Sequence, residues 1–437
     1  MDTIVALATA PVSSAVGIVR MSGDAALMIA SKIFCAKGFD RPVPRMMYLG
    51  TVTAGNIKDK AFCIYYKAPQ SYTGEDVVEF QTHGGVALTA GVVRALVAEG
   101  ARPAEPGEFT KRAYLNGKLD LVEAEGIADL INAKSEAEIR GAYRMMSGEL
   151  SRTIARATEL LLQADAALEV ALDYPEELLE DTKQPVLNEL TTVRDLLSGL
   201  LVDADKRRYI TDGVHIVLTG LTNAGKSSLL NAVLQAERAI VTDIAGTTRD
   251  TLTETAEIGG MRFRFVDTAG IRESSDVVER IGVDRARQAI EGADLVLFVK
   301  DASLPPSEEE RALERSLVGK PVLTVLNKGD VAKYPRSADL TIEAKTGKNV
   351  DRLIEMILER FKPGDEGQGA MLRERHVFAV RTALAAVQSA LDGYDALTND
   401  CLIVDVKAAY RALASLTGED VEEAVVDRIF STFCVGK

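Results

Sequence analysis

The spacing of apolar residues along the chain changes three times, and each change marks a different kind of structure. In residues 1 to about 118, short β-rich runs at 16–20 and 62–66 alternate with turn residues, and residues 87–96 have helical spacing. This part of the chain therefore predicts a mixed domain of strands and helices, which we place at residues 1–118.

From residue 119 to about residue 208, apolar residues recur at helical intervals in segments rich in Ala, Leu and Glu. Pro175 and Pro185 interrupt this region and predict ends between long helices. The helical spacing returns after KPGDEGQGA at residues 362–370, a linker by composition, and continues to Leu416. Residues 119–210 and 371–437 are accordingly predicted to be two halves of one helical domain.

Between these halves the pattern is that of an α/β domain. HIVLT at residues 215–219 is a short apolar strand, a glycine-containing turn and a helix at 228–234 follow, and strands then alternate with helices up to Phe361. Such alternation is typical of a parallel sheet with crossovers. Residues 251–258 and 261–266, joined by Gly259 and Gly260, predict an antiparallel hairpin. The fold class is therefore α/β plus all-α, with an α/β domain at residues 211–370 inserted into the helical domain.

Composition restricts the classes of function. A chain of 437 residues is too long for one ordinary hydrophobic core, so it predicts more than one domain. The sequence contains no run of about 18 apolar residues, and it therefore predicts no membrane span. The first residues lack the features of a signal peptide, so we expect a cytoplasmic protein with reduced cysteines. The four cysteines and three histidines do not have zinc-ligand spacing. The net charge of −14 argues against non-specific coating of nucleic acid, although it leaves room for RNA binding through a local basic patch.

The sequence GLTNAGKS at residues 220–227 matches the phosphate-binding pattern G-x-x-x-x-G-K-S. It lies between a predicted strand and a predicted helix, which is the context that the pattern requires. Backbone amides of such a turn bind phosphates, Lys226 adds a positive charge, and the Ser227 hydroxyl can hold Mg²⁺. The alternative is a glycine-containing turn that arose by chance, and the flanking elements argue against it.

Two further motifs follow in order. DTAG at residues 267–270 comes after the second hairpin strand, where a magnesium-facing carboxylate and an amide that senses the γ-phosphate belong. NKGD at residues 327–330 ends the strand at 322–326, and the Asp330 carboxylate can accept two hydrogen bonds from the amino-imino edge of guanine. Thr248, in the polar loop at 246–250, is the candidate second magnesium hydroxyl. This ordered set predicts an enzyme that hydrolyses GTP.

Ile271 follows the DTAG motif where many small GTPases have a glutamine that orients the attacking water. An apolar side chain cannot orient water. Either hydrolysis is slow, or another polar group takes the place of the glutamine.

Taken together, these motifs resemble those of the MnmE (TrmE) family of tRNA-modification GTPases. The resemblance rests on the P-loop with Asn223, IAGTTRD at 244–250, DTAGIRE at 267–273, VERIG at 278–282 and the terminal FCVGK at 433–437. Upstream it rests on GIVRMSG at 17–23, SYTGEDVVEFQTHGG at 71–85, PGEFTKRAYLNGKLDL at 106–121 and LDYPEE at 172–177. It therefore extends along the whole chain.

The resemblance implies a Ras-like P-loop GTPase domain inserted in the helical domain, and an N-terminal α+β domain that binds folate and forms a homodimer. Members of the family act in a hetero-oligomer with a flavin-dependent partner, MnmG (GidA). They add an aminomethyl or carboxymethylaminomethyl group to C5 of the wobble uridine of certain tRNAs. The implied cofactors are GTP, Mg²⁺, K⁺ and a tetrahydrofolate derivative (5-formyl- or methylene-tetrahydrofolate) as one-carbon donor.

The resemblance also implies roles for individual residues. The implied GTP-binding residues are Asn223, Ala224, Gly225, Lys226, Ser227, Ser228, Thr242, Thr247, Thr248, Asp267, Thr268, Ala269, Gly270, Asn327, Lys328, Asp330, Ala344 and Lys345. Mg²⁺ would be held by Ser227 and Thr248, and K⁺ by Asn223, Thr242, Ile244 and Thr247, standing where an arginine finger would act. Glu279 would orient the attacking water. The folate-contacting residues would be Arg20, Glu79, Lys118 and Lys437, while Cys434 is either a catalytic thiol or a packed tail residue.

Two positions depart from the family pattern, and other interpretations stay open. Glu343 stands where the family has a serine before Ala344-Lys345, and Glu105 replaces an arginine near the predicted folate site. The main alternative function is a GTP-regulated ribosome or RNA assembly factor, and a third is a GTP-dependent scaffold for a partner enzyme. The folate-type motifs and the terminal CVGK favour the first interpretation over the second. Four arginines predict a solvated face, or else the first place to seek tRNA contacts: Arg207, Arg208, Arg373 and Arg375.

Overall fold

The computed structural model describes residues 2–173, 175–202, 209–210, 212–236, 253–267, 288–361, 373–419 and 423–436. These residues form two compact units. The first comprises Met1–Ile131, Tyr143–Ser198 and Arg373–Lys437, and the second comprises Asn132–Ala142 and Gly199–Leu372. None of the described helices is long and apolar enough to cross a membrane.

The described strands are β1 (Ile4–Leu7), β2 (Ser14–Ser22), β3 (Phe34–Cys35), β4 (Met47–Ala54), β5 (Ile57–Tyr66), β6 (Val77–Gly84), β7 (Arg102–Pro103), β8 (Val214–Thr219), β9 (Thr253–Ile258), β10 (Met261–Asp267), β11 (Leu295–Asp301), β12 (Val322–Asn327) and β13 (Leu340–Thr341). The described helices are α1 (Ala26–Ile33), α2 (Val86–Ala98), α3 (Glu108–Leu115), α4 (Leu121–Asn132), α5 (Glu136–Met146), α6 (Glu149–Asp173), α7 (Pro175–Leu201), α8 (Lys226–Ala236), α9 (Glu308–Ser316), α10 (Val350–Phe361), α11 (Glu374–Gly393), α12 (Asn399–Thr417) and α13 (Glu423–Phe430).

The first unit contains a seven-stranded sheet in the order β3-β4-β5-β6-β2-β1-β7. Neighbouring strands pair antiparallel, except that β1 pairs parallel with β7. Side chains alternate between the two faces of a strand, so Val19, Met21 and Phe80 are buried under α1 and α2. Arg20 and Glu79 point to the opposite face. The expected mixed N-terminal architecture is confirmed.

The rest of the first unit is helical, and the long helix α12 packs against both α6 and α11. Pro185 was expected to end a helix, and that expectation is wrong, because α7 continues through it. A proline within a helix removes one hydrogen bond and crowds the preceding turn. Here Val186, Leu190, Val193 and Leu197 bury a continuous stripe of the same helix, which favours its continuation.

Arg207 and Arg208 lie outside the described residues, while the interpretation of a solvated face is wrong for Arg373 and Arg375. Both guanidinium groups bind the carboxylate of Glu125 on α4, at 3.3 Å and 2.6 Å. Glu125 is 1% exposed, and His376 Nε2 lies 2.7 Å from its Oε2. These residues, together with Asp129, join α4 to the start of α11 through ion pairs centred on the buried Glu125 carboxylate. We call them the Glu125 cluster.

The second unit contains a six-stranded sheet in the order β13-β12-β11-β8-β10-β9. All neighbours pair parallel except β9 and β10, which form the expected antiparallel hairpin. Residues 132–142 pack on this hairpin: the Ala137 amide donates to the Gly260 carbonyl at 3.0 Å, and its side chain joins Ile258 and Met261 in the core. The expected parallel α/β domain is confirmed, and a segment that lies well before it in the sequence forms part of its unit.

Candidate functional site

The carboxyl ends of four parallel strands bring the nucleotide motifs to one edge of the sheet. β8 is followed by Gly220, and β10, β11 and β12 end at Asp267, Asp301 and Asn327. Open α/β sheets bind ligands at this edge, because the loops that follow the strands converge there. The topology therefore collects residues that lie far apart in the sequence.

The turn at residues 220–225 leads directly into α8, whose first residue is Lys226. Lys226 is 5% exposed, and its ammonium donates to the carbonyls of Gly220 at 3.1 Å and Leu221 at 2.9 Å. Ser227 and Ser228 lie at the helix N-terminus, where free amides and the helix dipole favour an anion. The arrangement is suited to holding phosphate groups.

A hydroxyl and a carboxylate meet beside this helix N-terminus. Ser227 Oγ donates to Asp267 Oδ2 at 2.7 Å, so two hard oxygen ligands converge at the end of β10. Mg²⁺ in nucleotide sites keeps several waters and uses few protein oxygens, and this pair fits it. Within the described ranges, no group of three or more His, Cys, Asp or Glu side chains could hold a metal by itself.

Asn327 joins three segments of the site. It is 3% exposed, its Nδ2 donates to the Ala224 carbonyl at 3.1 Å, and its Oδ1 accepts the Ala344 amide at 3.0 Å. The P-loop, the NKGD turn and the turn at Ala344 are therefore fixed to one buried amide side chain. Asp330 and Lys345 are exposed beside it.

The departure at Glu343 does not enter this junction. Its carboxylate binds Lys348 Nζ at 2.7 Å and accepts from Thr346 Oγ1 at 3.0 Å. The hydrogen bond from Lys348 holds the pKa of Glu343 below its usual value. The backbone amide of Ala344 remains the group that contacts Asn327.

Asp301 is a member of the site that the sequence did not reveal. Its carboxylate accepts Lys328 Nζ at 2.6 Å and the Ser303 amide and hydroxyl at 2.8 Å and 2.6 Å. Burial opposes its ionisation, but these hydrogen bonds outweigh burial and lower the pKa of Asp301. The only sequence signal is its place at the end of the apolar run LVLFVKD, one strand away from NKGD.

Several predicted site residues lie outside the described residues, and the structure places none of them: Thr242, Ile244, Thr247, Thr248, Thr268, Ala269, Gly270, Glu279 and Lys437.

In the first unit, the structure brings Arg20 and Glu79 together. They are opposite residues of β2 and β6, and Arg20 Nε lies 2.7 Å from Glu79 Oε1. The guanidinium also lies over the rings of Tyr72 and Phe109, at 5.4 Å and 5.8 Å from their centroids. Lys118 Nζ donates to the Pro69 carbonyl at 3.0 Å, so it contacts the same loop that carries Tyr72.

The end of the chain packs beside this sheet. The Cys434 carbonyl accepts the Gly107 amide at 3.4 Å, and Val435 forms a bridge with Pro106. A Cβ on Gly436 would lie 2.3 Å from the Leu7 carbonyl oxygen, so only glycine allows this approach to β1. Cys434 itself is exposed and free, as are Cys35 and Cys401, whereas Cys63 is free and buried.

Comparison with known proteins covers the chain almost from end to end. A family model described as the GTP-binding protein TrmE N-terminus matches residues 3–118, and one described as the MnmE helical domain matches residues 121–434. The tRNA modification GTPase MnmE of Heliobacterium modesticaldum is 39% identical over 464 residues, which cover 100% of this chain and 99% of the relative. A protein of the same name from Thermus thermophilus is 44% identical over 444 residues, with 100% and 99% covered. A crystal structure of Era from Aquifex aeolicus with GDP and AlF4⁻ is 27% identical and covers 39% of this chain and 66% of its own, with a TM-score of 0.28.

Proposed function

This chain belongs to the MnmE family of tRNA modification GTPases, and we propose that it is a K⁺-activated GTP hydrolase that modifies the wobble uridine of certain tRNAs. With a flavin-dependent partner of the MnmG (GidA) kind, it adds an aminomethyl or carboxymethylaminomethyl group to C5 of that base. The one-carbon unit comes from a tetrahydrofolate derivative. The reaction takes place in the cytoplasm, where the tRNA substrates are.

The junction at Asn327 is the observation that best supports the nucleotide half of this proposal. It joins the P-loop, the NKGD turn and the Ala344 turn through direct hydrogen bonds, so one bound nucleotide can contact all three. The amides of the turn from Asn223 to Gly225 and the ammonium of Lys226 bind the phosphates. The remaining base contacts come from Asp330, which accepts from the amino-imino edge of guanine, and from Ala344 and Lys345 against the ring.

Ser227 and Asp267, with Thr248 as a further ligand, would hold Mg²⁺, which would supply positive charge to the phosphates. The 2.7 Å hydrogen bond from the Ser227 hydroxyl to the Asp267 carboxylate supports this assignment, because it places two oxygen ligands next to each other. The residues Thr268, Ala269 and Gly270 follow Asp267 and meet the γ-phosphate. GTP hydrolysis then alters the loop that carries Thr248.

Water activation needs a group other than Ile271. We assign it to Glu279, and we assign the role of an arginine finger to K⁺ held by Asn223, Thr242, Ile244 and Thr247. Asn223 is exposed in the P-loop and has a left-handed backbone, with φ of 63°. A side-chain amide oxygen in that position is a hard ligand that suits an alkali cation.

The Arg20–Glu79 pair supports the folate half of the proposal. A pterin ring offers an amino-imino edge like that of guanine, so the Glu79 carboxylate is an appropriate acceptor. The ring of Tyr72, partly exposed beside this pair, suits a flat ring system, whereas the fully buried ring of Phe109 packs against the Arg20 guanidinium. Lys118 and Lys437 then meet the acidic end of the ligand, and Cys434 lies on the tail that leads to Lys437. Two copies of the chain associate through their N-terminal domains.

The test is mass spectrometry of tRNA nucleosides from cells that lack this protein and are complemented with variants. We expect the modified wobble uridine to be absent, and to return with the wild-type chain and with Glu99→Gln. Glu99 is a matched control, because it is a partly exposed glutamate of the same sheet domain, paired with Lys32 at 3.1 Å. Glu79→Gln should not restore the modification. Unchanged wobble uridines in the deletion strain would contradict the proposal and favour an assembly factor.

A further inference from the structure

The carboxylate of Asp301 is buried, yet Asp301 is not among the residues assigned to contact phosphate, Mg²⁺ or guanine. It ends β11, one strand away from the NKGD turn, and it is 7% exposed. A buried carboxylate is costly unless cations and hydrogen-bond donors surround it. Three donors do so here: Lys328 Nζ, the Ser303 amide and the Ser303 hydroxyl.

The ammonium of Lys328 connects Asp301 to the P-loop. It donates to Asp301 Oδ2 at 2.6 Å and to the Asn223 carbonyl at 2.9 Å. Both Lys328 and Asn223 have a left-handed backbone, with φ of 62° and 63°. That conformation is unfavourable for residues other than glycine and persists only where surrounding contacts hold it. The shared ammonium is a contact that holds both.

We propose that Asp301 is a positioning residue for guanine-nucleotide binding, which aims Lys328 at the Asn223 carbonyl and thereby ties the guanine-recognition turn to the residue assigned to K⁺. An uncompensated ammonium would turn towards solvent and release the carbonyl. The turn at Asn223 would then lose the contact that fixes its orientation. The link to K⁺ rests on the proposed function, whereas the link to nucleotide affinity does not.

The backbone of Asp301 is held independently of its side chain. Arg336 Nη1 donates to the Asp301 carbonyl at 2.6 Å, and Arg336 forms a buried ion pair with Glu310. Replacing Asp301 by Asn keeps the volume and leaves this anchor in place. The amide removes the negative charge that holds Lys328, and it has one acceptor oxygen where the carboxylate has two, so it cannot accept from both Lys328 and Ser303 as Asp301 does. Asp301→Asn therefore tests the position of the Lys328 ammonium more than the structure at the end of β11.

The matched control is Glu314→Gln. Glu314 binds Lys300 Nζ at 2.9 Å, and Lys300 directly precedes Asp301 on β11. This variant also removes one carboxylate from a lysine pair of the same strand, but it does not touch the P-loop. Both variants are made in the full-length chain, and melting of the nucleotide-free proteins checks that they fold.

The first measurement is dissociation of mant-GDP by stopped flow, in sodium buffer without K⁺. A charged hydrogen bond lost from the bound state corresponds to dissociation about 10- to 100-fold faster for Asp301→Asn, with Glu314→Gln within about twofold of wild type. The second measurement is the K⁺ concentration that half-saturates the fluorescence change of mant-GDP with aluminium fluoride. This concentration should rise severalfold in Asp301→Asn only.

The outcomes separate this inference from the proposed function. Wild-type dissociation of mant-GDP from a folded Asp301→Asn would overturn the positioning role, whatever the cation does. A wild-type protein that responds equally to K⁺ and Na⁺ would contradict the proposed cation instead. If Asp301→Asn melts below Glu314→Gln, Ser303→Ala gives the same comparison, since it removes only one hydroxyl that aims Asp301. Unchanged dissociation in Ser303→Ala would then overturn the inference.

Discussion

Gly225→Ala should abolish useful nucleotide binding, because the site has no room for one methyl group. A Cβ on Gly225 would lie 2.2 Å from Asn327 Nδ2, well inside contact distance. Asn327 is buried, so it can move only by breaking its bonds to Ala224 and Ala344. The P-loop, the NKGD turn and the Ala344 turn would then no longer share a junction.

The size of the effect follows from these contacts. The backbone of Gly225 has φ of 92°, which costs a residue with a side chain about 1–2 kcal/mol. Displacing Asn327 loses two hydrogen bonds at about 1 kcal/mol each and leaves buried groups without partners. The sum is about 3–5 kcal/mol. In the free protein the P-loop can relax and relieve this strain. Nucleotide binding requires the strained conformation again, so the affinity should fall by a factor of about 10² to 10³ or more.

Equilibrium titration with mant-GDP measures this directly. The matched control is Gly319→Ala, since Gly319 also has a left-handed backbone, with φ of 82°, but a Cβ there would have nothing within 4 Å. That variant bears the same kind of backbone strain away from the site, and its affinity should remain near that of wild type. An affinity of Gly225→Ala within about threefold of Gly319→Ala would refute the steric reasoning.

Three further predictions concern the chemistry of the site. Asp330→Asn should shift preference from GTP towards xanthosine triphosphate, because the amide presents a donor where guanine needs an acceptor; competition binding measures the preference. Turnover should be faster in K⁺ than in Na⁺ at equal ionic strength, and Asn223→Ala should remove the difference. Glu279→Ala should retain GTP binding but lose both hydrolysis and tRNA modification; single-turnover assays beside nucleoside yields measure this, and full modification without hydrolysis would show that GTP acts as a static ligand.

The sequence was most informative where function depends on residues close together in the chain. The P-loop needs a strand, a glycine-containing turn and a helix in succession, and local spacing shows all three. The predicted sites at NKGD and DTAG follow the same logic, because each motif directly follows its strand. Arg20 and Glu79 lie far apart in sequence, and the family resemblance alone suggested that they act together.

Asp301 shows why part of the site could not be predicted. Its contact with Lys328 depends on β11 lying next to β12 and on both strands ending at the same edge. Hydrophobic spacing predicts that both segments are strands, but it does not give their order in the sheet. Residues 132–142 pose the same difficulty, since helical spacing does not tell which core Ala137 enters.

The two arginines of the Glu125 cluster were misinterpreted as a solvated face for a related reason. Arg373 precedes α11 and Arg375 lies in its first turn, next to a predicted linker, and charged residues in such places are usually solvated. Their acidic partner Glu125 lies 248 and 250 residues earlier, on α4, so local sequence could not reveal it. Charge neutralisation between distant helices requires the tertiary structure.

The same cluster predicts acid sensitivity of the helical region. Burial opposes ionisation of Glu125, but His376 and Arg375 outweigh it and hold the pKa of Glu125 at about 2, against an ordinary value of 4.5. Such a carboxylate stabilises the fold above pH 4.5, and its contribution is lost as the pH falls towards 2. Burial also lowers the pKa of His376 below 6.5. As the pH falls, the imidazole is therefore protonated in the unfolded chain before it is protonated in the folded one. Both groups therefore make stability fall as the pH decreases below about 6.5.

Glu125→Gln should remove most of this stabilisation at neutral pH. The pKa difference corresponds to about 3 kcal/mol, and breaking a buried ion pair costs about 3–5 kcal/mol. Glu159→Gln is the control, since Glu159 is exposed and pairs across one helical turn with Arg156; it should change stability by less than about 0.5 kcal/mol. Urea unfolding at about pH 7, 5 and 3.5 compares the two. The loss for Glu125→Gln should be largest at neutral pH and smaller at the most acidic point, because wild type itself weakens there. Equal stability of both variants at neutral pH, or parallel acid dependence in all three proteins, would show that the cluster does not hold α4 to α11.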